Sequence, residues 1–266
     1  ESLLPLEVQA LLRQAVPDAG VDRIQRALAC SGRRIPSPRI GAPGFTRARI
    51  DVGAALSFLR RGARDEQTWT FETREQFTDW TIETGYWRRV GGRKAPRMAV
   101  AMDPEFYISV ANVDICAENL AVTARVRRID MGGRGSGILL RAGFWRSEPP
   151  QERDVSIRGL LFGFTDFGEG QASIYAVFGA SAAHPLIWRG EELCGNSQVT
   201  SIRKDGEFNT LRVISRGGQH RFLINGMEVC TASDSRFTGD GLAILAIHDT
   251  LDSRMEVHRV VATPLR

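Results

Sequence analysis

The stretch GEFNTLRVISRGGQHRFLINGMEVCTASDSRFTGDGLAIL, residues 206–245, decides the fold class. Leu211 and Val213 alternate with Arg212 and Ile214, the two-residue period of a half-buried strand. Asn225-Gly226 parts Arg221–Ile224 from Met227–Thr231. That dipeptide is the strongest short hairpin signal, because both central residues of the turn must tolerate positive φ. Gly217-Gly218 likewise joins Leu211–Arg216 to Gln219–Ile224. The spacing predicts a three-stranded meander over 208–231.

Outward from the meander the same period repeats. Leu120, Val122, Ala124 and Val126 alternate with Ala121, Thr123, Arg125 and Arg127. Ile138, Leu140 and Ala142 follow, then Leu160, Phe162 and Phe164, then Ala172, Ile174, Ala176 and Phe178. Leu242, Ile244 and Ala246, with Met255, Val257 and Val261, close the series. On the order of a dozen short strands between turn residues predict two facing antiparallel sheets, a mainly β jelly-roll sandwich over 67–266.

The first 62 residues read differently. Leu6, Val8, Leu11, Leu12 and Val16 recur at helical spacing until Pro17-Asp18; Val21, Ile24 and Leu28 mark a second helix, with Gly32 past its end. Residues 32–48, rich in Gly, Pro and Arg, read as a loop, and Arg49 to Leu59 as a third helix. RGARDE (61–66) reads as a linker.

The 266 residues are 42% hydrophobic and 25% charged, a composition that excludes disorder, collagen and a cysteine-dense scaffold. No window carries the roughly 18 apolar residues of a membrane helix, and no signal peptide opens the chain. Glu1 stands where a Met would begin a complete chain, which reads as a piece of something longer. The basic side, 35 against 31 acidic residues, holds only Lys94 and Lys204 as lysines. The arginines read as scattered along the sequence among acids, with no aromatic-interleaved basic stripe, so neither nucleic acid nor membrane is expected as a partner. Cys30, Cys116, Cys194 and Cys230 form no C-x-x-C pair; disulfides and buried thiols both fit, and spacing leaves any connectivity open.

The segments ENLAVTARVRRIDMGGRGSGILLRAG (118–143), FETREQFTDWTIETGYWRRVGG (71–92) and 206–245 resemble the concanavalin A-like lectin/glucanase superfamily. Within the last, Phe208-Asn209-x-Leu211-x-Val213 leads to Phe222-x-Ile224-Asn225-Gly226, similar to laminin-G-like jelly rolls and 3-keto-disaccharide hydrolase-like domains. The resemblance implies the sandwich and, through the habits of that fold, glycan or protein-surface binding. ALLRQAVPDAGVDRIQRALACSG (10–32) and RARIDVGAAL (47–56) resemble the C-terminal end of a subtilisin-like serine protease domain. That implies an upstream protease domain as partner and an extracellular or cell-envelope location in a bacterium. The family's Gly-Thr-Ser-x-Ala-x-Pro run is missing, since Ser2-Leu3-Leu4-Pro5 lacks Gly-Thr and has bulky leucines. A serine without a base is not activated, so Ser2 reads as a helix N-cap and no catalytic residue is expected.

Other chemistry is weaker still. A laminarinase-type Glu-x-Asp-x-x-Glu strand is missing; Asp166 and Glu169 read as a hairpin turn, and Glu148, Glu152 and Asp154 as a solvated loop. His184, His220, His248 and His258 are scattered, with His248-Asp249 the best of them. Gly132 to Gly137 lacks the Gly-Lys-Ser/Thr ending of a phosphate loop and leads into a strand. No cofactor is expected and no metal ligand set is legible; calcium on Asp234, Asp240, Asp249 and Asp252 is the one such site the resemblance leaves open.

The remaining signal is aromatic. Trp87, Phe144, Trp145, Tyr175 and Trp188 lie on or beside strands, several next to arginines. Sugars lay their C–H faces on aromatic rings while neighbouring charged groups bond the hydroxyls, on the concave sheet or at rim loops. Trp145 and Trp188, each followed by Arg and flanking a loop, are the selected ligand-binding residues, with Arg141, Arg146 and Tyr175. The expectation is a non-catalytic carbohydrate- or protein-binding module; the alternative is a glycoside-acting enzyme on the same sandwich.

Overall fold

The computed structural model describes residues 6–21, 24–25, 27–28, 33–36, 46–49, 52, 55–56, 59, 66–91, 96–101, 106–115, 117, 119–129, 135–146, 155–165, 170–183, 188–237, 241–248 and 252–265. Of Trp145, Arg146 and Trp188 the backbone alone is described. The chain divides into two compact units, residues 1–65 with 115–117, and residues 66–114 with 118–266.

In the first unit a helix spans Leu6–Ala15. Described residues between 21 and 28 and between 52 and 59 are also helical. Leu12, Ala19, Ile24, Ala27, Leu28, Ala55 and Leu59 bury one another in a core of their own. The expected loop over 32–48 is corrected in part: β1 (Arg33–Pro36) pairs antiparallel with β2 (Thr46–Arg49), Arg33 opposite Arg49. Its Gly/Pro-rich sequence hid two short strands. Ser2 lies outside the described residues.

The second unit is the expected sandwich. Its strands are β3 (Gln67–Trp69), β4 (Thr81–Thr84), β5 (Tyr86–Val90), β6 (Arg97–Ala101), β7 (Ile108–Asp114) and β8 (Leu120–Ile129). They continue with β9 (Ser136–Arg146), β10 (Val155–Thr165), β11 (Gln171–Ser181), β12 (Trp188–Asn196), β13 (Phe208–Arg216) and β14 (Gln219–Ile224). β15 (Met227–Ser233), β16 (Gly241–Ile247) and β17 (Arg254–Pro264) complete the set, and a one-turn helix spans Arg74–Thr78. One sheet has the order β12-β11-β10-β9-β16-β7-β4, the other β15-β14-β13-β8-β17-β6-β5, with β3 also paired to β17.

The core follows from register. Leu242, Leu140, Leu160 and Ala176 form one row of the seven-stranded sheet, and Ile244, Ile138, Phe162 and Ile174 another. Val257 and Val126, and Ala262, Val122, Val213 and Phe222, do the same in the eight-stranded sheet. Phe162 meets Phe222 edge-on across the gap, ring centroids 6.0 Å apart. Gly137 lets β9 run close to β10, since a Cβ there would stand 2.3 Å from the Phe162 carbonyl oxygen. Gly137 thus belongs to β9, while residues 132–134 of the Gly-rich run lie outside the described residues.

The alternation breaks where strands bulge. Between Val257 and Arg259 the β17 register shifts, so Val260 and Ala262 turn inward and Val261 is only half-buried. β11 slips between Val177 and Gly179, and Phe178 stands 45% exposed instead of extending the Ala172–Ile174–Ala176 stripe inward. The far face of the seven-stranded sheet is apolar too. Leu139, Leu161, Val110, Ala243 and Leu245 are all buried there, which is why Gly241–Ile247 reads as a continuous apolar run.

The meander stands as expected, and its asparagines account for the turn. Asn225 has φ +53, and its Oδ1 accepts from the Thr210 backbone N–H at 2.8 Å. Its Nδ2 donates to the Ser201 carbonyl at 2.7 Å and to Asn209 Oδ1 at 2.8 Å. Asn209 in turn exchanges bonds with the Arg203 backbone, N–H to Oδ1 and Nδ2 to carbonyl, both at 2.9 Å.

A disulfide joins Cys194 of β12 to Cys230 of β15, with Cα atoms 5.9 Å apart. Both strands end their sheets on the same side, so the bond staples one open flank of the sandwich. Cys30 and Cys116 lie outside the described residues.

Three outcomes follow from this packing. Closing 36 residues reduces unfolded-state entropy by about 4 kcal/mol of free energy. Cys194→Ser with Cys230→Ser is expected to lower the melting temperature of this roughly 200-residue unit by about 8–16 °C in calorimetry; an unchanged melting point contradicts the staple. Asn225→Ala forces an ordinary side chain into positive φ and strands the Thr210 N–H, and is expected to cost about 2–3 kcal/mol in urea unfolding. His248 is 2% exposed, its Nε2 2.8 Å from Ser109 Oγ. Burial pushes its pKa from 6.5 down to about 4 against a small opposing bond with the Ser253 backbone. Between those values the unfolded chain binds the proton and the folded one does not. Stability is therefore full above about pH 6.5 and falls by up to about 3 kcal/mol as pH drops toward 4. Urea unfolding of His248→Gln across that range should lose this increment.

Candidate functional site

Three sequence-selected residues, Trp145, Arg146 and Trp188, fall at one end of the seven-stranded sheet, and Arg141 lies midway along β9. β9 ends at Trp145-Arg146, where Trp145 faces Ser156 and Arg146 faces Val155. Ser156 faces Ser181, and Trp188 opens β12 opposite Ala180. Phe144, Ile157, Ala180 and Trp188 make one row and Trp145 belongs to the next, so the backbone register does not align the two tryptophans. Arg141 sits on β9 with φ +54, where three β9 residues span two of β10. Trp87 and Phe144, also weighed as surface aromatics, are otherwise engaged. Trp87 is buried, donating Nε1–H to the Thr84 carbonyl at 2.9 Å, and Phe144 packs on the far-face aliphatic layer.

Tyr175 stands nearer mid-sheet, on the face opposite the sandwich core, packed against that aliphatic layer. Its hydroxyl donates to Glu192 Oε2 at 2.6 Å, and Ser173 Oγ donates to the same oxygen at 3.3 Å. Burial raises the phenol's pKa, and the Glu192 acceptor adds to the rise.

Beside the same end, where β11, β12 and the segment after β15 approach, the structure assembles a cluster that sequence reading did not select. Phe178 and Phe237 stack with centroids 5.5 Å apart and planes at 26°. The Arg236 guanidinium lies 4.9 Å from the Phe178 ring centre. Arg236 donates Nε–H to Asp234 Oδ2 at 2.7 Å and Nη1–H to Glu191 Oε2 at 2.7 Å. Its backbone N–H donates to Asp234 Oδ1 at 2.7 Å. Burial alone would raise the Asp234 carboxyl, but the Arg236 side-chain and backbone bonds outweigh it and hold the group low. Behind it, His220 Nε2 donates to the Asp234 carbonyl at 2.8 Å. Burial lowers the imidazole pKa; the Asp234 carbonyl opposes this, and the charge of Arg141 lowers it further. Arg141 is thus a sequence-selected side chain whose charge reaches this cluster.

The chemistry of this rim is specific. The exposed Phe178, stacked on a half-buried Phe237, offers apolar aromatic surface, and a guanidinium fixed by two carboxylates lies over the Phe178 ring. Both acids are committed to Arg236, and the Asp234 carboxyl is held low, the opposite of what a general acid needs. Asp234, one of the four residues weighed for calcium, has both oxygens bonded by Arg236; Asp240 and Asp249 lie outside the described residues, as do Asp166, Glu169, Glu148, Glu152, Asp154 and His184. The far face of the seven-stranded sheet is not an open groove along Leu139, Leu161 and Leu245, because those side chains are already buried.

One signal in the sequence marks the missed cluster. Asp234-Ser235-Arg236-Phe237 places an acid, a base and an aromatic within four residues just past a strand end. Phe178 gave no such sign, because it continues an alternating apolar stripe and is turned out only by the bulge.

No family model matches the chain, and no curated protein matches it. Among solved structures it is similar to a carbohydrate-binding module, CBM66 from Bacillus subtilis, at 12% identity, covering 70% of this chain and 95% of that one, TM-score 0.46. It is similar to the VIP36 exoplasmic/lumenal domain bound to Ca2+ and Man3GlcNAc, at 11% identity, covering 75% and 88%, TM-score 0.48. Bacillus licheniformis β-glucanase superimposes at 9% identity, covering 76% and 99%, TM-score 0.44. These matches carry no argument about ligand or activity.

Proposed function

We propose that the second unit is a non-catalytic carbohydrate-binding module whose ligand lies on the rim formed by β11, β12 and the segment after β15. The observation that carries this reading is the stack of exposed Phe178 on Phe237 beside an Arg236 held by Asp234 and Glu191. A sugar ring placed on Phe178 would meet an aromatic face below and charged hydrogen-bonding groups at its edge. Trp145 and Arg146 at the end of β9 and Trp188 at the start of β12 would extend this rim, with Arg141 midway along β9, and Tyr175 with Glu192 would offer a second polar contact on the other face of β11–β12. The rival glycoside-acting enzyme is disfavoured by the pairing of both rim carboxylates with one guanidinium.

The inter-sheet disulfide supports an extracellular or cell-envelope setting, since such bonds persist in oxidising compartments. No helix among the described residues is long and apolar enough to cross a membrane. The likeness of residues 10–32 and 47–56 to the end of a subtilisin-like domain supports an upstream protease as the partner this module would direct to a glycan-bearing target.

Glycan-array screening followed by calorimetric titration of the best hit tests the proposal. Phe178→Ala is expected to weaken binding about tenfold, the worth of one aromatic platform. Trp145→Ala with Trp188→Ala should weaken it as well if those rings belong to the rim. Equal affinity in Phe178→Ala rejects the rim site, and glycoside hydrolysis by the full chain rejects the non-catalytic reading.

A further inference from the structure

The arginines that look scattered in sequence gather on one face in the structure. On β8, the inward row Val122, Ala124 and Val126 leaves Arg125 and Arg127 on the opposite, outer face of the eight-stranded sheet. Register carries that face sideways. Arg259 stands opposite Arg125, Glu256 opposite Arg127, and Arg254 opposite Ile129 on β17. Phe208 faces Arg127 and Arg212 faces Thr123 on β13, and Arg221 faces Ile214 on β14. Beyond β17, Ala99 separates Glu256 from Arg88, and Arg97 lies within 3.0 Å of Glu256.

Acids neutralise only part of this face. Glu256 holds Arg97 and Arg127, and Glu228 holds Arg221 at 2.6 Å. Arg88, Arg125, Arg212, Arg254 and Arg259 are exposed and make no ion pair with a described carboxylate. At the centre, the Arg125 and Arg127 guanidinium carbons lie 4.5 and 5.0 Å from the Phe208 ring centre, and His258 stands edge-on to the same ring at 4.3 Å. The ring restrains the unpaired Arg125 guanidinium, while Arg127 on the same ring is held by Glu256, so less of Arg125's freedom is lost when an anion binds.

We propose that this outer face of the eight-stranded sheet binds an anionic polysaccharide, one bearing carboxylate or sulfate groups along its length. Strand spacing of about 4.8 Å and an along-strand repeat of about 6.7 Å set the free arginines on a two-dimensional lattice. Carboxylate and sulfate both accept bidentate pairs from guanidinium. A linear, flexible polymer can follow such a lattice over a broad sheet. Duplex nucleic acid is read by an element narrow enough to enter a groove, which this face lacks. The disulfide favours an oxidising compartment, where charged polysaccharide is the accessible polyanion. The surface is distinct from the rim and goes beyond the function proposed for it.

The test uses the full chain in low salt against heparin as sulfated probe, polygalacturonate as carboxylated probe, dextran as neutral control and a duplex oligonucleotide as competitor. Retention on heparin or polygalacturonate is expected, weakening steeply with salt, with no binding to dextran through this face. Arg125→Gln, Arg212→Gln and Arg259→Gln combined should lower affinity at least tenfold while leaving the melting temperature and Phe178-dependent glycan binding unchanged. Phe208 and His258 ring signals should shift in NMR titration with the polyanion. No binding to either charged polysaccharide, undiminished binding by the triple variant, or equal binding to the duplex overturns the proposal. Loss of the Phe178-dependent binding alone would strike the rim reading and leave this one standing.

Discussion

The closure of one flank of the sandwich by the Cys194–Cys230 bond is the constraint on which the rest depends. β12 and β15 each end a sheet, and an end strand has one row of backbone groups unpaired. Hydrophobic rows such as Phe162 on β10 against Phe222 on β14 hold the two sheets together just inside that flank. At the flank itself the bridges are covalent and polar. Besides the disulfide, Arg236 reaches Glu191 from one edge to the other, and Asn196 Nδ2 donates to the Val229 carbonyl at 3.3 Å. The rim platform is built on this joint: Phe178 comes from one sheet and Phe237 from the segment leaving the other. A flank that drifted apart would separate the two rings.

Much of the fold is legible in the sequence because it rests on period and turn chemistry. Asn225-Gly226 announces its hairpin, and the structure adds that Asn225 also ties Thr210, Ser201 and Asn209 together. The Leu120–Val126 alternation places inward and outward residues correctly. What defeats the period is the bulge. One extra residue near Phe178 turns a ring that looks like core into a surface platform, and another near His258 exchanges Val261 for Val260. A bulge leaves no composition signal, so the reading fails at those two places for a local geometric reason. Strands β1 and β2 were hidden differently, since four-residue strands in a Gly/Pro-rich stretch carry too few residues to show alternation.

The site is less legible than the fold, and charge shows why. Arg125, Arg212 and Arg259 lie far apart in sequence, and only the register of β8, β13 and β17 makes them neighbours. The same composition serves two ends. Arg236 is consumed locally by Asp234 and Glu191 and orients a platform, whereas Arg88, Arg125, Arg212, Arg254 and Arg259 on the outer face pair with no described carboxylate. Pairing geometry, not arginine number, distinguishes the two surfaces.

Hydrogen exchange on the oxidised and reduced protein measures the central claim most directly. The account predicts that reduction of Cys194–Cys230 exposes the amides of β12 and of residues 233–237, while β8, β13 and β17 remain protected. Uniform loss of protection across both sheets, or protection of β12 unchanged by reduction, would contradict a flank held by that bond.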